Sequence, residues 1–241
     1  MNFDYWKILA GACYAKDDRQ CRVWARRRRG VYTTNGGVLC IVKRSLPDRF
    51  LPDLYCFGLL GRFAGYYPGY SREIPAHLNA LTWAILKAHT ENTAGQVRLR
   101  SADPRETPRI DFRYFDEGND VRGLDLASVV EGIKFVRKLT APLKARGLIA
   151  EEELPGEGVQ SDEALREYVE YQAWGHHASC TCAIGRDEDP LAVLDGDFRV
   201  RGTENLRVVD ASIFPRIPGF FIASSIYLAA EKAADVLLAG R

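Results

Sequence analysis

The chain has 241 residues, 46% of them hydrophobic and 27% charged, as in a globular protein with room for a sizeable core. Its net charge of +1 excludes an overall pull toward nucleic acid or an acidic membrane. Charges interrupt the longest apolar stretches before the ~20 residues that span a bilayer, and the N-terminus makes a poor signal peptide. The six scattered cysteines do not resemble a secreted disulfide framework, so we expect a reduced, cytoplasmic setting.

Residues 1–30 have no clear hydrophobic periodicity, and we expect an irregular lead-in there. This stretch includes four consecutive arginines, Arg26 to Arg29, which could bind phosphate. No aromatic platform or second basic patch accompanies them. The favoured interpretation is therefore a solvated turn or an arm that meets another protein surface.

The next part of the chain favours strands. The candidates are short runs rich in β-branched and aromatic residues, namely residues 38–44, 54–61, 81–90, 96–101 and 110–115. The third and fourth runs are joined by a hairpin-like connection ending in Gly95. The fifth alternates, with Ile110, Phe112 and Tyr114 on one face.

The pattern then changes to the period of a helix at residues 126–143 and 161–174, the second with Ser161 as its N-cap. A short buried strand is expected at residues 206–212. A proline-broken turn follows it. The last helix is expected at residues 224–240, capped by Ser224 or Ser225. Strands followed by helices, without βαβ alternation, predict an α+β fold with a mostly antiparallel sheet.

The segment WGHHASCTCAIG, residues 174–185, places His176 and His177 just ahead of Cys180 and Cys182. A Cys-x-Cys pair is tighter than the spacing usual in structural zinc sites, and no second paired cluster lies nearby, so we expect no metal. A redox pair has equally weak support without a thioredoxin-like frame. Taken alone, the segment favours a satisfied histidine and small buried thiols.

Two further stretches change this interpretation: DPLAVLDGDFRVRGTENLRVVDASIFPRIPG and the terminal AAEKAADVLLAG. Together with GHHASCTCAIG, they resemble the C-terminal signature of the glucose–methanol–choline oxidoreductases, flavoenzymes that oxidise alcohols. The upstream YTTNGGVLCIVKRS, LTWAILKAHT and GQVRLRSADPR are similar to the substrate domain of that family. The resemblance covers nearly the whole chain from about Gly30 onward.

The resemblance implies that His177 is the histidine that faces the flavin N5 and the carbinol of a small-molecule alcohol. An imidazole titrates near working pH, so it can remove the hydroxyl proton while hydride passes to N5 of FAD. His176 occupies a neighbouring position and is a second catalytic candidate. Cys180 and Cys182 then become packing residues of the turn behind His177.

The resemblance also assigns cofactor contacts. Asp210 and Ala211 match positions that contact the pyrophosphate and ribityl parts of FAD. Phe221, Ile222 and Ala223 match positions that pack against the isoalloxazine or donate backbone N–H groups to it. Where the family usually carries a second catalytic His or Asn, this chain has Phe221.

The sequence has no G-x-G-x-x-G between a strand and a helix, so the Rossmann-like FAD domain of the family is not expected in it. We expect a substrate-binding domain at residues 31–174, and a catalytic and FAD-contacting segment at residues 175–241. A separate chain that supplies the FAD-binding domain would complete the enzyme. The alternative is a truncated, non-catalytic fragment or an interaction subunit of a split enzyme.

Overall fold

The computed structural model describes residues 1–3, 9–13 and 15–240. The chain forms two compact units, Met1–Ala173 and Trp174–Arg241. None of the helices in the described ranges combines the length and the apolar composition that a membrane crossing requires. Every pairing between named strands is antiparallel, which confirms a mixed helix and antiparallel-sheet fold.

The first unit contains all of the named strands and four of the α-helices. In chain order these elements are β1 Asn2–Phe3, α1 Arg19–Arg27, β2 Gly37–Lys43, β3 Leu54–Leu60, α2 Glu73–Ala76, β4 Leu81–Lys87, β5 Gln96–Arg98, β6 Arg109–Asp111, α3 Leu124–Ala145, β7 Ile149–Glu151 and α4 Asp162–Gln172. The second unit contains α5, Ala223–Leu238. Short 3-10 turns lie at Val31–Thr33, Tyr70–Arg72 and Ala211–Ile213.

The largest sheet has the order β2-β3-β4, with β3 in the middle. Alternate residues of β3 are buried, because every second side chain of a strand points to the same face. Helix α3 packs near this sheet, and Gly132 permits the approach. A Cβ atom there would lie 2.7 Å from Cγ2 of Ile85. The strands predicted at residues 38–44, 54–61 and 81–90 are confirmed, with shifted ends.

The expected hairpin between residues 81–90 and 96–101 is wrong, because β5 pairs with β6 in a separate two-stranded sheet. The connection after β4 binds the start of α3 instead. The backbone N–H groups of Glu91 and Asn92 donate to the carboxylate of Asp125 at the start of α3, at 2.8–3.0 Å. This anchor directs the chain toward the helix rather than back along β4.

A buried ionic cluster joins the large sheet to α3. The Lys87 ammonium lies 3.4 Å from a carboxylate oxygen of Asp53 and 3.5 Å from one of Asp125, and all three side chains are at most 7% exposed. Ser45 donates to Asp53 from its backbone N–H and its hydroxyl, both at 2.6 Å. Burial raises the pKa of Asp53, but the Ser45 bonds and Lys87 outweigh it and hold the pKa below its usual value.

The expectation of an irregular lead-in over residues 1–30 is corrected by α1, which occupies Arg19–Arg27. Asp18 caps its N-terminus by accepting a hydrogen bond from the Cys21 N–H at 2.7 Å. The helix was missed because it has only nine residues and none of them is buried, whereas an Asp before a run of helix formers was a usable signal. Residues 4–8 and 14 of this stretch lie outside the described residues.

The two helices predicted in the middle of the chain are confirmed. Helix α3 spans 22 residues and includes Pro142 near its C-terminal end. Helix α4 begins after Ser161, whose hydroxyl accepts from the Ala164 N–H at 3.1 Å, as expected for an N-cap. The apolar stripe of α3 includes Leu126, Val130 and Ile133, which pack with buried residues of α4.

The second unit has a small core of Leu194, Phe198, Ile213, Ala233 and Val236. The strand expected at residues 206–212 is wrong. Arg207 forms an isolated bridge with Arg199 instead. The 3-10 turn that begins at Ala211 occupies the end of the expected strand.

Helix α5 is confirmed, but its N-cap is Ile222 rather than Ser224 or Ser225. The helix therefore begins one turn or less before the expected position, and no side chain caps it. Its C-terminus agrees with the prediction, since Gly240 adopts the left-handed conformation just beyond the last turn.

Candidate functional site

The histidine segment, residues 174–185, lies beside the D-A-S segment near residue 211. The N–H of Cys180 donates to the carbonyl of Ala211 at 3.2 Å, and the N–H of Cys182 donates to that of Ser212 at 2.9 Å. Alternate residues thus pair with successive carbonyls. Two motifs that are 30 residues apart in sequence therefore form one structural feature.

Four rings make consecutive contacts in this unit. Trp174 stacks on His176 with centroids 5.2 Å apart and planes at 21°. His176 meets His177 edge to face at 4.7 Å. His177 meets Phe221 edge to face at 5.9 Å. The structure therefore brings both histidine candidates together with Phe221, from the turn before α5.

His177 is half-buried, whereas His176 is exposed. Burial lowers the pKa of His177 below its usual value, and the adjacent His176 lowers it further. A hydrogen bond to the backbone of Phe220 acts in the opposite direction without reversing the shift. At neutral pH His177 is a neutral imidazole, the form that accepts a proton.

The cysteines have local packing contacts. Cys182 packs against the core of the second unit. Cys180 has a φ of +74°, and its sulfur lies 3.3 Å from the Ser179 hydroxyl. Within residues 1–3, 9–13 and 15–240, no three His, Cys, Asp or Glu side chains are grouped so that they could hold a metal. These contacts fit the interpretation of the thiols as packing residues.

Gly185 ends the histidine motif for a steric reason. A Cβ atom at this position would lie 2.6 Å from the Ala192 Cβ and 3.1 Å from an Asp189 carboxylate oxygen. Only glycine allows the segment to run this close to the loop around residue 190.

Asp210 shapes the turn that follows it. Its Oδ1 accepts hydrogen bonds from the Ser212 N–H at 2.7 Å and the Ser212 hydroxyl at 2.5 Å. The side chain caps the 3-10 turn that begins at Ala211. Asp210 is exposed and Ala211 half-buried, so both can be approached from solvent.

Phe221, Ile222 and Ala223 form the N-terminal end of α5. Phe221 is 48% exposed, while Ile222 is buried at 9%. Ala223 is exposed and begins a 16-residue helix without a side-chain cap. Uncapped N–H groups at a helix N-terminus favour partners that carry negative charge.

Residues 91–230 match the family model described as GMC oxidoreductase. The oxygen-dependent choline dehydrogenase of Vibrio vulnificus (strain YJ016) is 37% identical over 218 residues, which cover 89% of this chain and 37% of that protein. The chain belongs to the GMC oxidoreductase family. The resemblance found in the sequence is thereby confirmed.

Solved structures with a similar fold agree with this family assignment. A formate oxidase variant from Aspergillus oryzae RIB40, studied for modification of its FAD, is 27% identical with a TM-score of 0.63, covering 80% of this chain and 32% of that one. A fungal aryl-alcohol oxidase is 30% identical with a TM-score of 0.54, covering 79% and 28%. The chain spans about a quarter to just over a third of the length of the curated relatives that it matches. FAD is the cofactor expected for a member of this family.

The residues of the second unit fit the flavin end of that cofactor. The exposed Phe221 ring offers a flat apolar surface, and it contacts the imidazole of His177. The uncapped N-terminus of α5 begins two residues later and would donate N–H groups to a ring system that gains negative charge on reduction.

Sequence reasoning missed Trp174 as a member of the ring cluster. A usable signal was present, because residues 174 and 176 in an extended segment lie on the same side of the chain. The contact of His177 with the backbone of Phe220 had no sequence signal, since any residue supplies a carbonyl.

Proposed function

We propose that this chain is the substrate-binding and catalytic portion of an FAD-dependent oxidoreductase that acts on the CH–OH group of small-molecule alcohols. Residues 31–174 contribute substrate binding, and residues 175–241 contribute the base and the flavin contacts. The observation that carries the proposal is the half-buried His177, with a lowered pKa and in contact with Phe221.

His177 is the general base of the proposed reaction. The ring nitrogen turned away from Phe220 takes the hydroxyl proton while hydride leaves the adjacent carbon, and the alcohol becomes a carbonyl compound. When bound, FAD supplies the hydride acceptor. The base must be neutral to do this, and burial of His177 favours its neutral form. His176 stands beside the base and affects its charge state.

The contacts proposed to FAD are those of Asp210, Ala211, Phe221, Ile222 and Ala223. Their exposure and the open end of α5 support them. The sequence lacks the G-x-G-x-x-G loop that holds a dinucleotide. We therefore propose that the ADP part of FAD is held outside these 241 residues, by the same polypeptide or by a separate chain.

The six cysteines are all unpaired, which supports a reducing, cytoplasmic setting.

The pH dependence of turnover tests the role of His176. In the FAD-loaded enzyme, kcat/KM should fall as the pH drops through the pKa of His177, because only the neutral imidazole accepts the proton. His176→Gln removes a neighbour that lowers this pKa. The acidic limb of the pH profile should therefore move to higher pH in this variant. An acidic limb that stays in place would show that His176 does not act on the base.

Phe221 should determine the class of alcohol. A phenyl ring cannot share the hydroxyl proton, so binding next to it depends on apolar contact. A sugar would leave hydroxyls unpaired there, each at a cost of about 1–3 kcal/mol. In the FAD-loaded enzyme, flavin bleaching without oxygen should rank aromatic and aliphatic primary alcohols above polyols.

The Phe221→Asn variant should narrow the preference for apolar alcohols. Trp24→Asn serves as the control, because Trp24 is an exposed ring outside residues 31–174 and 175–241, and it should leave the preference unchanged. A preference for sugars in the unmutated enzyme would remove Phe221 from the site. If no alcohol bleached a stoichiometric flavin, the alternative of a non-catalytic fragment or interaction subunit would replace the proposal.

A further inference from the structure

A strongly basic surface lies on α1 and the residues just after it. It comprises six exposed arginines, Arg19, Arg22, Arg26, Arg27, Arg28 and Arg29, together with Trp24, and is called the arginine surface below. No acidic residue occurs within residues 19–29. Six positive charges thus occupy one short helix and its C-terminal end, in a chain whose net charge is +1.

A stabilising interaction with the helix dipole explains only some of these arginines. Arg26 and Arg27 lie in the last turn, where the helix dipole favours cations. Arg28 and Arg29 lie beyond it, and adjacent like charges repel one another. Among the described residues, Arg26 to Arg29 form no ion pair with a carboxylate. The basic side chains that are paired lie elsewhere, as in Arg62 with Glu153.

The structure supplies the aromatic partner that the sequence did not reveal. Trp24 is 39% exposed, and the Arg28 guanidinium lies 5.1 Å from its ring centroid. Arg28 follows the last residue of α1 and has a φ of +51°, so this cation–π contact forms where the chain leaves the helix. Helix α1 and its C-terminal end therefore carry an amphipathic indole as well as several guanidinium groups that can bind phosphate.

We propose that the arginine surface docks the protein on a membrane leaflet that contains anionic phospholipids. Polybasic charge together with an interfacial aromatic anchor is the combination that holds a protein at a lipid surface. A planar leaflet needs only a local basic patch, which this chain has. Helix α1, which carries most of the arginine surface, spans nine residues, about 13 Å at 1.5 Å per residue, and offers no extended track for a nucleic acid backbone.

Vesicle sedimentation with the full chain tests the proposal. The protein should bind phosphatidylcholine vesicles that contain about 30% phosphatidylserine, and not vesicles of phosphatidylcholine alone. The triple variant Arg26→Gln, Arg27→Gln, Arg29→Gln should bind about fivefold more weakly per arginine, on the order of 100-fold in total. Trp24→Ala should weaken binding several-fold and should also lose the blue shift of indole fluorescence on binding.

A matched control removes the same number of charges elsewhere. Lys138, Arg146 and Arg166 are exposed on other helices or helix ends, and their replacement by glutamine should leave binding within about twofold. Equal losses in both triple variants would overturn the proposal, since net charge rather than this surface would then be responsible. Binding to a short DNA duplex or to poly-glutamate as tight as to the vesicles would also overturn it, in favour of a nucleic acid or an acidic protein.

Discussion

Replacing His177 with alanine in the FAD-loaded enzyme should lower kcat on the order of 100- to 10,000-fold, the usual contribution of a general base. The half-buried imidazole is neutral near pH 7 because burial and the adjacent His176 lower its pKa. Alanine leaves no group in its place to accept the hydroxyl proton. Stopped-flow measurement of flavin reduction by a saturating alcohol gives the rate of the step directly.

The control separates base loss from cofactor loss. FAD content, measured by the visible absorbance of the purified variant, should fall far less than kcat. His176→Ala should cost clearly less in kcat, because His176 is exposed and touches Trp174 and His177 rather than Phe221. If the two variants exchanged their effects, the assignment of the base would be wrong by one position.

Replacing Asp125 with alanine should destabilise the first unit by about 3–5 kcal/mol, the range seen when one partner of a buried ion pair is removed. The carboxylate is almost fully buried, accepts three backbone hydrogen bonds from Glu91 and Asn92, and lies 3.5 Å from the Lys87 ammonium. Alanine would leave those donors and that cation without their partner. For a unit of this size the midpoint of thermal unfolding should fall by roughly 6–20 °C.

Asp103→Ala is the matched control, because its ion pair with Arg105 lies on the surface, where water and salt screen the interaction. Asp125→Asn keeps one acceptor oxygen and the shape of the side chain but removes the charge. Its loss of stability should therefore lie between those of Asp125→Ala and Asp103→Ala. Circular dichroism on heating measures all three variants. A Tm for Asp125→Ala within a few degrees of the control would contradict a stabilising role for the buried cluster.

The charge on Arg26 to Arg29 was visible in the sequence, but its interpretation depended on a side chain two residues earlier. The sequence favoured a solvated turn or an arm that meets another protein surface, because no aromatic platform or second basic patch accompanied the arginines. The Arg28 guanidinium lies over the Trp24 ring, and the left-handed conformation of Arg28 at the end of α1, which the sequence does not reveal, sets its direction. The helix itself was missed because it is short and none of its residues is buried.

Local chemistry explains which elements the sequence determined. Strands β2, β3 and β4 follow from runs of β-branched and aromatic residues, and α4 follows from the Ser161 cap. The family followed from the histidine segment, the D-A-S segment and the terminal helix, read together with their spacing. These signals are carried by neighbouring residues, so no knowledge of the fold was needed to read them.

Tertiary structure decided how those pieces meet. The partner of β5 depended on Asp125, which lies about 30 residues away and binds the amides of Glu91 and Asn92. The cap of α5 moved to Ile222, and residues 206–212 did not become a strand, since the 3-10 turn capped by Asp210 begins at Ala211. The sequence by itself determined the family, the helices with clear periodicity and the histidine on which the proposed chemistry rests. Only the folded chain decided that Trp174, His176, His177 and Phe221 form one row of rings, because contacts between segments 40 residues apart depend on the packing of both.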